Sequence, residues 1–139
     1  MPIHCPIQID RLSRNDFIER DVIVMRCAFE AQNRLGRLFE ERIYENRLKT
    51  LLRSAGVKNV WTQVPVTVSH GTFKKVYRLD LVADSAVYEF KTFLQLIGEQ
   101  DAQVLNYAML IDILCIKLLN FRNTRVEGKL RLSAISREA

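Results

Sequence analysis

The sequence predicts a single mixed α/β domain, and three features of its hydrophobic pattern carry that expectation. Apolar residues recur at three- and four-residue spacing from Asp16 to Ser54. From Val60 the pattern switches to alternation, and near Glu99 it turns helical again before two further strand-like runs. The length agrees, since 139 residues suffice for one domain with one hydrophobic core.

The elements follow in order. Residues 1–15 contain Pro2 and Pro6 and show no clear period. The organisation expected is a loosely ordered lead-in over 1–20, a folded domain over 21–135 and a charged tail over 136–139. From Asp16, the spacing of Ile18, Val22, Met25 and Phe29 predicts a helix along that stripe, with Asn15 or Asp16 as its cap. Gly36 interrupts it. A second helix is expected from Arg37 to Ser54, with Leu38, Phe39, Ile43, Leu48, Leu51 and Leu52 on its apolar side and Gly56 at its C-terminal end.

Val60, Thr62, Val64, Val66 and Val68 then share one face of a strand, which Pro65 places near a sheet edge or in a locally unpaired stretch. His70-Gly71-Thr72 reads as a turn into a second strand, Lys74 to Ala83. A two-residue turn at Asp84-Ser85 leads to a third strand, Ala86 to Thr92. A helix from Glu99 to Leu110, a buried strand from Ile113 to Leu119 and a last strand from Val126 to Ile135 complete the chain. The core order is helix, three strands, helix, strand.

Composition excludes several classes. With 48% hydrophobic and 27% charged residues the chain has the make-up of a globular domain. Its longest apolar run, Val104 to Leu119, is broken by Asn106, Asp112 and Lys117, so no membrane partner is expected. No export signal is visible at the N-terminus, and a cytoplasmic location is expected. Cys5, Cys27 and Cys115 are odd in number and unpaired in spacing, which argues against a disulfide framework or a cysteine-built zinc site. His4 and His70 belong to no triad-like arrangement, and no glycine-rich phosphate loop is present. The net charge of +5 suits a polyanionic partner without identifying one.

The segment from Tyr77 to Lys91 carries the chemistry. With the turn at Asp84-Ser85, Ala83 faces Ala86, Val82 faces Val87, Leu81 faces Tyr88 and Asp80 faces Glu89. Directly opposed side chains on one sheet face lie about 5 Å apart at Cβ, where like charges are destabilising. Lys91, two residues after Glu89, emerges on the same face. A divalent cation bridging both carboxylates would remove the repulsion, and the lysine could orient or deprotonate an attacking water. The competing structural reading is a cross-strand Asp80–Lys91 ion pair beside a surface Glu89. One extra turn residue would moreover put Asp80 and Glu89 on opposite faces.

Asp80 with Glu89-Phe90-Lys91 resembles the D…(D/E)xK signature of the PD-(D/E)XK nuclease superfamily. Downstream, Gln103-Val-Leu-Asn-Tyr107 resembles the QxxxY motif of RecB-type nuclease domains. Upstream, Leu35-Gly-Arg-Leu-Phe-Glu-Glu-Arg-Ile-Tyr-Glu45 resembles the motif of the GxxExxY proteins. Val64-Pro65-Val66, Ala102 to Tyr107 and Leu118-Leu119-Asn120-Phe121 are similar to that family's further motifs, in matching order over residues 22 to 132.

The resemblance implies a restriction-endonuclease-like core, αβββαβ, with a central mixed sheet flanked by helices. It also implies a metal site, rather than a particular substrate; the reading taken from it is a metal-dependent nuclease acting on phosphodiester bonds, with DNA expected ahead of RNA, magnesium as cofactor and manganese as a substitute. Asp80, Glu89, the backbone carbonyl of Phe90 and Glu41 would hold the metal, Lys91 would serve the attacking water, and Gln103 and Tyr107 would act at the cleft. Against these stand plainer roles: Glu41 paired on a solvated helix face, and Tyr107 turned to the core beside a surface Gln103. The chain departs from the family pattern at Gln32 and Gln100, where histidines are usual, and at Gly36-Arg37-Leu38 in place of Gly-Pro-Gly. A homodimer is expected as well, because a chain this small has little surface beyond the site to wrap a duplex. The alternatives are a non-catalytic nucleic-acid- or protein-binding module on the same fold, and an interaction protein with a vestigial site.

Overall fold

The computed structural model describes residues 3–91, 107–108 and 110–132. In chain order the elements are β1 (Ile3–His4), α1 (Arg14–Leu35), α2 (Glu41–Ser54), β2 (Val60–His70), β3 (Phe73–Ala83), β4 (Ala86–Lys91), β5 (Cys115–Asn120) and β6 (Glu127–Leu132). The strands form one six-stranded sheet in sequence order. Only β4 and β5 run parallel; the other neighbours are antiparallel. A parallel pair needs a long crossover, and residues 92–114 supply it. The expected helix over 99–110, with Gln100 and Gln103, falls largely there and outside the described residues; Tyr107, Ala108 and Leu110 are helical. Thr92, residues 133–135 of the last expected strand and the tail over 136–139 also lie outside them.

The sequence and the fold differ first at α1. Its cap is Ser13, whose Oγ accepts the Asp16 backbone N–H at 3.1 Å, so Asn15 and Asp16 lie inside the first turn. Its buried face is Phe17, Val24, Cys27, Ala28 and Ala31, not the stripe of larger residues. Ile18, Val22 and Phe29 are 45%, 58% and 40% exposed. Ala28 and Ala31, both 0% exposed, provide a flat surface that lets the helix close on its neighbours. The segment read as a lead-in also joins the fold. Its β1 pairs with Thr67 and Val68, Leu12 is buried, and Cys5, Ile7 and Ile9 pack against the sheet.

The second helix begins at Glu41 rather than Arg37. The Tyr44 hydroxyl donates to the Gly36 carbonyl at 2.6 Å and accepts the Phe39 N–H at 3.3 Å, folding residues 36–40 into a loop. Leu38 and Phe39 are therefore exposed, and the buried side of α2 is Tyr44, Glu45, Leu48 and Leu52. At its end Val57 N–H reaches Leu52 O at 3.0 Å and Gly56 N–H reaches Arg53 O at 3.1 Å. With φ +95 at Gly56, this is the glycine-terminated closure the sequence predicts.

The β3–β4 hairpin turns on Asp84 and Ser85, both with positive φ (46° and 71°), a two-residue turn whose twist matches the strands. Ala83 pairs with Ala86, Val82 with Val87 and Leu81 with Tyr88, as expected. The sheet divides the core in two. On one face α1 and α2 pack Phe17, Val24, Tyr44, Leu48 and Leu52 over Leu81, Tyr88, Phe90 and Leu119. On the other, Val64, Val66, Leu79, Val82, Val87 and Leu118 meet Tyr107, Ala108 and Ile113. Val60 and Leu81 belong to the helix side, whereas Val64 and Leu79 belong to the opposite side. Strict alternation would keep Val60 with Val64 and Leu79 with Leu81. The alternation slips by one residue at Gln63 and Asp80, where Gln63 has φ +53.

Candidate active site

The slip falls where two strands part. The β3–β4 ladder ends at Leu81 and Tyr88, and the next opposed pair is Asp80 and Glu89. There each carboxylate takes a backbone donor of the other strand. Asp80 N–H donates to Glu89 Oε1 at 3.0 Å, and Phe90 N–H donates to Asp80 Oδ2 at 2.7 Å. Hydrogen bonds to charged acceptors are strong enough to hold such a fork open without a ladder partner. On its other side β4 stays paired with β5 as far as Lys91 and Asn120. A strand residue sends its N–H and C=O to the same side, so the Phe90 carbonyl also opens towards β3.

From the helix side Glu45 completes the cluster. It is 3% exposed, on the buried face of α2 beside Tyr44 and Leu48. The Gln63 amide nitrogen donates to both Glu45 carboxylate oxygens at 3.1 Å and to Asp80 Oδ1 at 3.0 Å. The electrostatics follow from burial and repulsion. Burial, then the Asp80 charge, pushes the Glu45 carboxyl up to about 7. Burial likewise raises Asp80, against the Phe90 N–H, the Gln63 amide and Lys91, which lower it. Glu89 is raised well above the ordinary carboxylate range by burial and then by Asp80. Three acidic groups are thus drawn together, each raised first by burial.

The residues singled out in the sequence are distributed as follows. Asp80, Glu89 and Lys91 come together, and the Lys91 charge acts favourably on both carboxylates. Glu41 lies one turn before Glu45 on α2, partly buried, and its charge adds a smaller upward push on Glu45. Glu45, in turn, shares the Gln63 amide with Asp80. Tyr107 is buried on the far face of the sheet, its ring meeting Tyr77 edge-on at 5.4 Å. Gln103 lies outside the described residues.

Glu45 and Gln63 were not singled out from the sequence. Both had a signal: Glu45 is four residues after Glu41 on one helix face, and Gln63 falls opposite Asp80 between the pairs Thr62–Leu81 and Val64–Leu79.

Phe121 fixes these parts relative to one another. The Tyr44 ring stacks on it at 4.4 Å, Phe90 tilts against it at 5.3 Å, and its N–H reaches the Lys91 carbonyl at 3.3 Å. Gln32, at a position where the resemblance expects histidine, donates to the carbonyls of Phe121 at 3.0 Å and Asn123 at 2.8 Å, tying α1 to the loop after β5.

The donor set consists of carboxylate oxygens and one backbone carbonyl, the chemistry that suits a hard divalent cation. Among the described residues, no three acidic, histidine or cysteine side chains are arranged to hold an ion as they stand. The reason is visible: the Gln63 amide stands between Glu45 and Asp80, and Glu89 Oε1 is turned onto the Asp80 N–H. In composition the residues fit the group.

A mixed six-stranded sheet with helices against it, forking around an Asp and a Glu, is a restriction-endonuclease-like α/β fold. Residues 19–132 match the family model of the PD-(D/E)XK nuclease superfamily, and the chain belongs to that superfamily, whose members are generally nucleases. Comparison with curated proteins and with solved structures finds no match.

Proposed function

We propose that this protein is a metal-dependent nuclease that hydrolyses phosphodiester bonds in DNA, with its active site at the fork between β3 and β4. The observation that carries the reading is the pair of backbone hydrogen bonds at the fork, Asp80 N–H to Glu89 and Phe90 N–H to Asp80, which sets a buried and a partly buried carboxylate side by side. Asp80, Glu89 and Glu45 would hold the cation, with the Phe90 carbonyl beside them and Glu41 one turn further out on α2. Magnesium is the proposed ion, with manganese as a substitute. When bound, such a cation supplies a lowered pKa for attacking water and charge neutralisation at the phosphate. Lys91 orients that water and offsets charge growing on the non-bridging oxygens. The net charge of +5 favours approach of a polyanion.

The test is cleavage of single- and double-stranded DNA with magnesium, manganese or EDTA, wild type beside Glu89→Gln and Lys91→Ala. Each variant is expected to lose roughly 10²-fold or more in rate. A wild type that binds metal and DNA without cleaving would favour the binding-module alternative.

A homodimer belongs to the same proposal, and a stripe on α1 supports it, with Ile18, Val22 and Phe29 exposed and Met25 at its edge, half-buried against the core. The positions of Ile18, Val22, Met25 and Phe29 read the same from either end. Two antiparallel copies would set Ile18 against Phe29 and Val22 against Met25, with Glu19 and Arg26 of opposite charge on one flank.

A further inference from the structure

The amide of Gln63 is in an unusual place. It donates to both carboxylate oxygens of Glu45 and reaches Asp80 as well, three contacts between 3.0 and 3.1 Å. A single neutral NH2 has two hydrogens for those three oxygens, and the remaining demand is met by a Glu45 carboxyl that hydrogen-bonds Asp80 directly. The backbone is committed to this placement. Gln63 has φ +53, in the left-handed region that side chains other than glycine seldom adopt. The same position is where β2 and β3 shift their facing. The residue nevertheless remains exposed, so its side chain has room to swing away.

We propose that the Gln63 amide is a built-in stand-in for the cation: it bridges Glu45 and Asp80 in the metal-free protein and must leave when a divalent cation enters between them. This rests on the metal reading of the fork given above. Two consequences follow. Gln63 ties Glu45 to Asp80, which keeps both carboxyls aimed at the place a cation would take. It also competes with the ion, so its removal tightens binding rather than weakening it. A cation ligand at this position would behave in the opposite way, because deleting a ligand loosens the complex.

The experiment is calorimetric titration of the full chain with manganese and with magnesium, for wild type, Gln63→Gly and Gln63→Asn. Glycine removes the amide and accepts the positive φ without strain. Asparagine tolerates the same backbone but carries an amide one carbon shorter. Circular dichroism confirms that each variant is folded before titration. Both variants are expected to bind manganese about threefold or more tightly than wild type, and to melt at a lower temperature than wild type in EDTA. Weaker binding by folded variants would overturn the inference and make Gln63 a ligand or a scaffold. Equal affinity in all three would overturn it as well, leaving the metal reading intact. No binding by any of the three would overturn the metal reading itself.

Discussion

Glu45 is the residue at which burial and chemistry conflict most directly. Its carboxyl is raised from an ordinary 4.5 to about 7, first by burial and second by the Asp80 charge. The folded protein therefore holds a proton there that the unfolded chain has already released, and stability falls as pH rises from about 4.5 to about 7. The upward shifts of Asp80 and Glu89 act in the same direction. Glu45→Gln is expected to flatten that slope and to raise stability at pH 8 in EDTA by on the order of 1–3 kcal/mol. Melting temperatures between pH 4 and 8 check it; a slope unchanged by the substitution would show that Glu45 does not titrate in this window. Manganese should reverse the trend, because ligands must lose their protons to bind, so affinity rises with pH.

At the scale of elements, α1 is held to the sheet by a polar anchor as well as by its alanines. The Tyr88 hydroxyl donates to Asp21 Oδ1 at 2.8 Å and Lys117 pairs with Asp21 Oδ2, joining the helix to β4 and β5. Tyr88 and Lys117 are neighbours in the parallel register, so a single helix residue meets both. Gly128 on β6 leaves room for the arrangement, since a Cβ there would sit 2.5 Å from Lys117 Cε. Removing one member of a largely desolvated pair strands the other charge. Asp21→Ala is expected to cost about 2–4 kcal/mol in urea denaturation, and adding Lys117→Met should recover much of the loss. If the double variant were no more stable than Asp21→Ala, the anchor would not be a coupled pair.

Taken whole, the molecule covers one face of its sheet with two helices and the other with Tyr107, Ala108, Ile113 and the N-terminal segment. No helix among the described residues is long and apolar enough to cross a membrane. The three cysteines are free, with Cys27 and Cys115 buried, and burial raises both thiols. Cys27 and Cys115 are small apolar core residues, while Cys5 is partly buried. On α1 the apolar side chains of Ile18, Val22 and Phe29 are exposed, unlike an ordinary solvated helix face. Val22→Glu, at a position 58% exposed, should change the unfolding free energy of a monomer by less than about 0.5 kcal/mol. In the proposed homodimer it should shift sedimentation from dimer to monomer. Identical monomeric sedimentation of both proteins would remove the dimer from the proposal.

The sequence by itself determined the strands around the site, the two-residue turn at Asp84 and Ser85, and hence the meeting of Asp80, Glu89 and Lys91. Those features are local: a short turn fixes register, and register fixes which residues oppose one another. It also determined that Gly56 ends α2, because a left-handed closure selects glycine wherever the helix packs. Tertiary structure alone decided that Glu45 meets Asp80, that Gln63 bridges them, and that α1 buries its alanine face instead of its bulkier stripe. Periodicity shows which residues share a face of a helix, but not how deeply that face is pressed against a sheet. That depth is set by side-chain volume at contacts between distant segments, and by where a strand such as β2 slips its alternation.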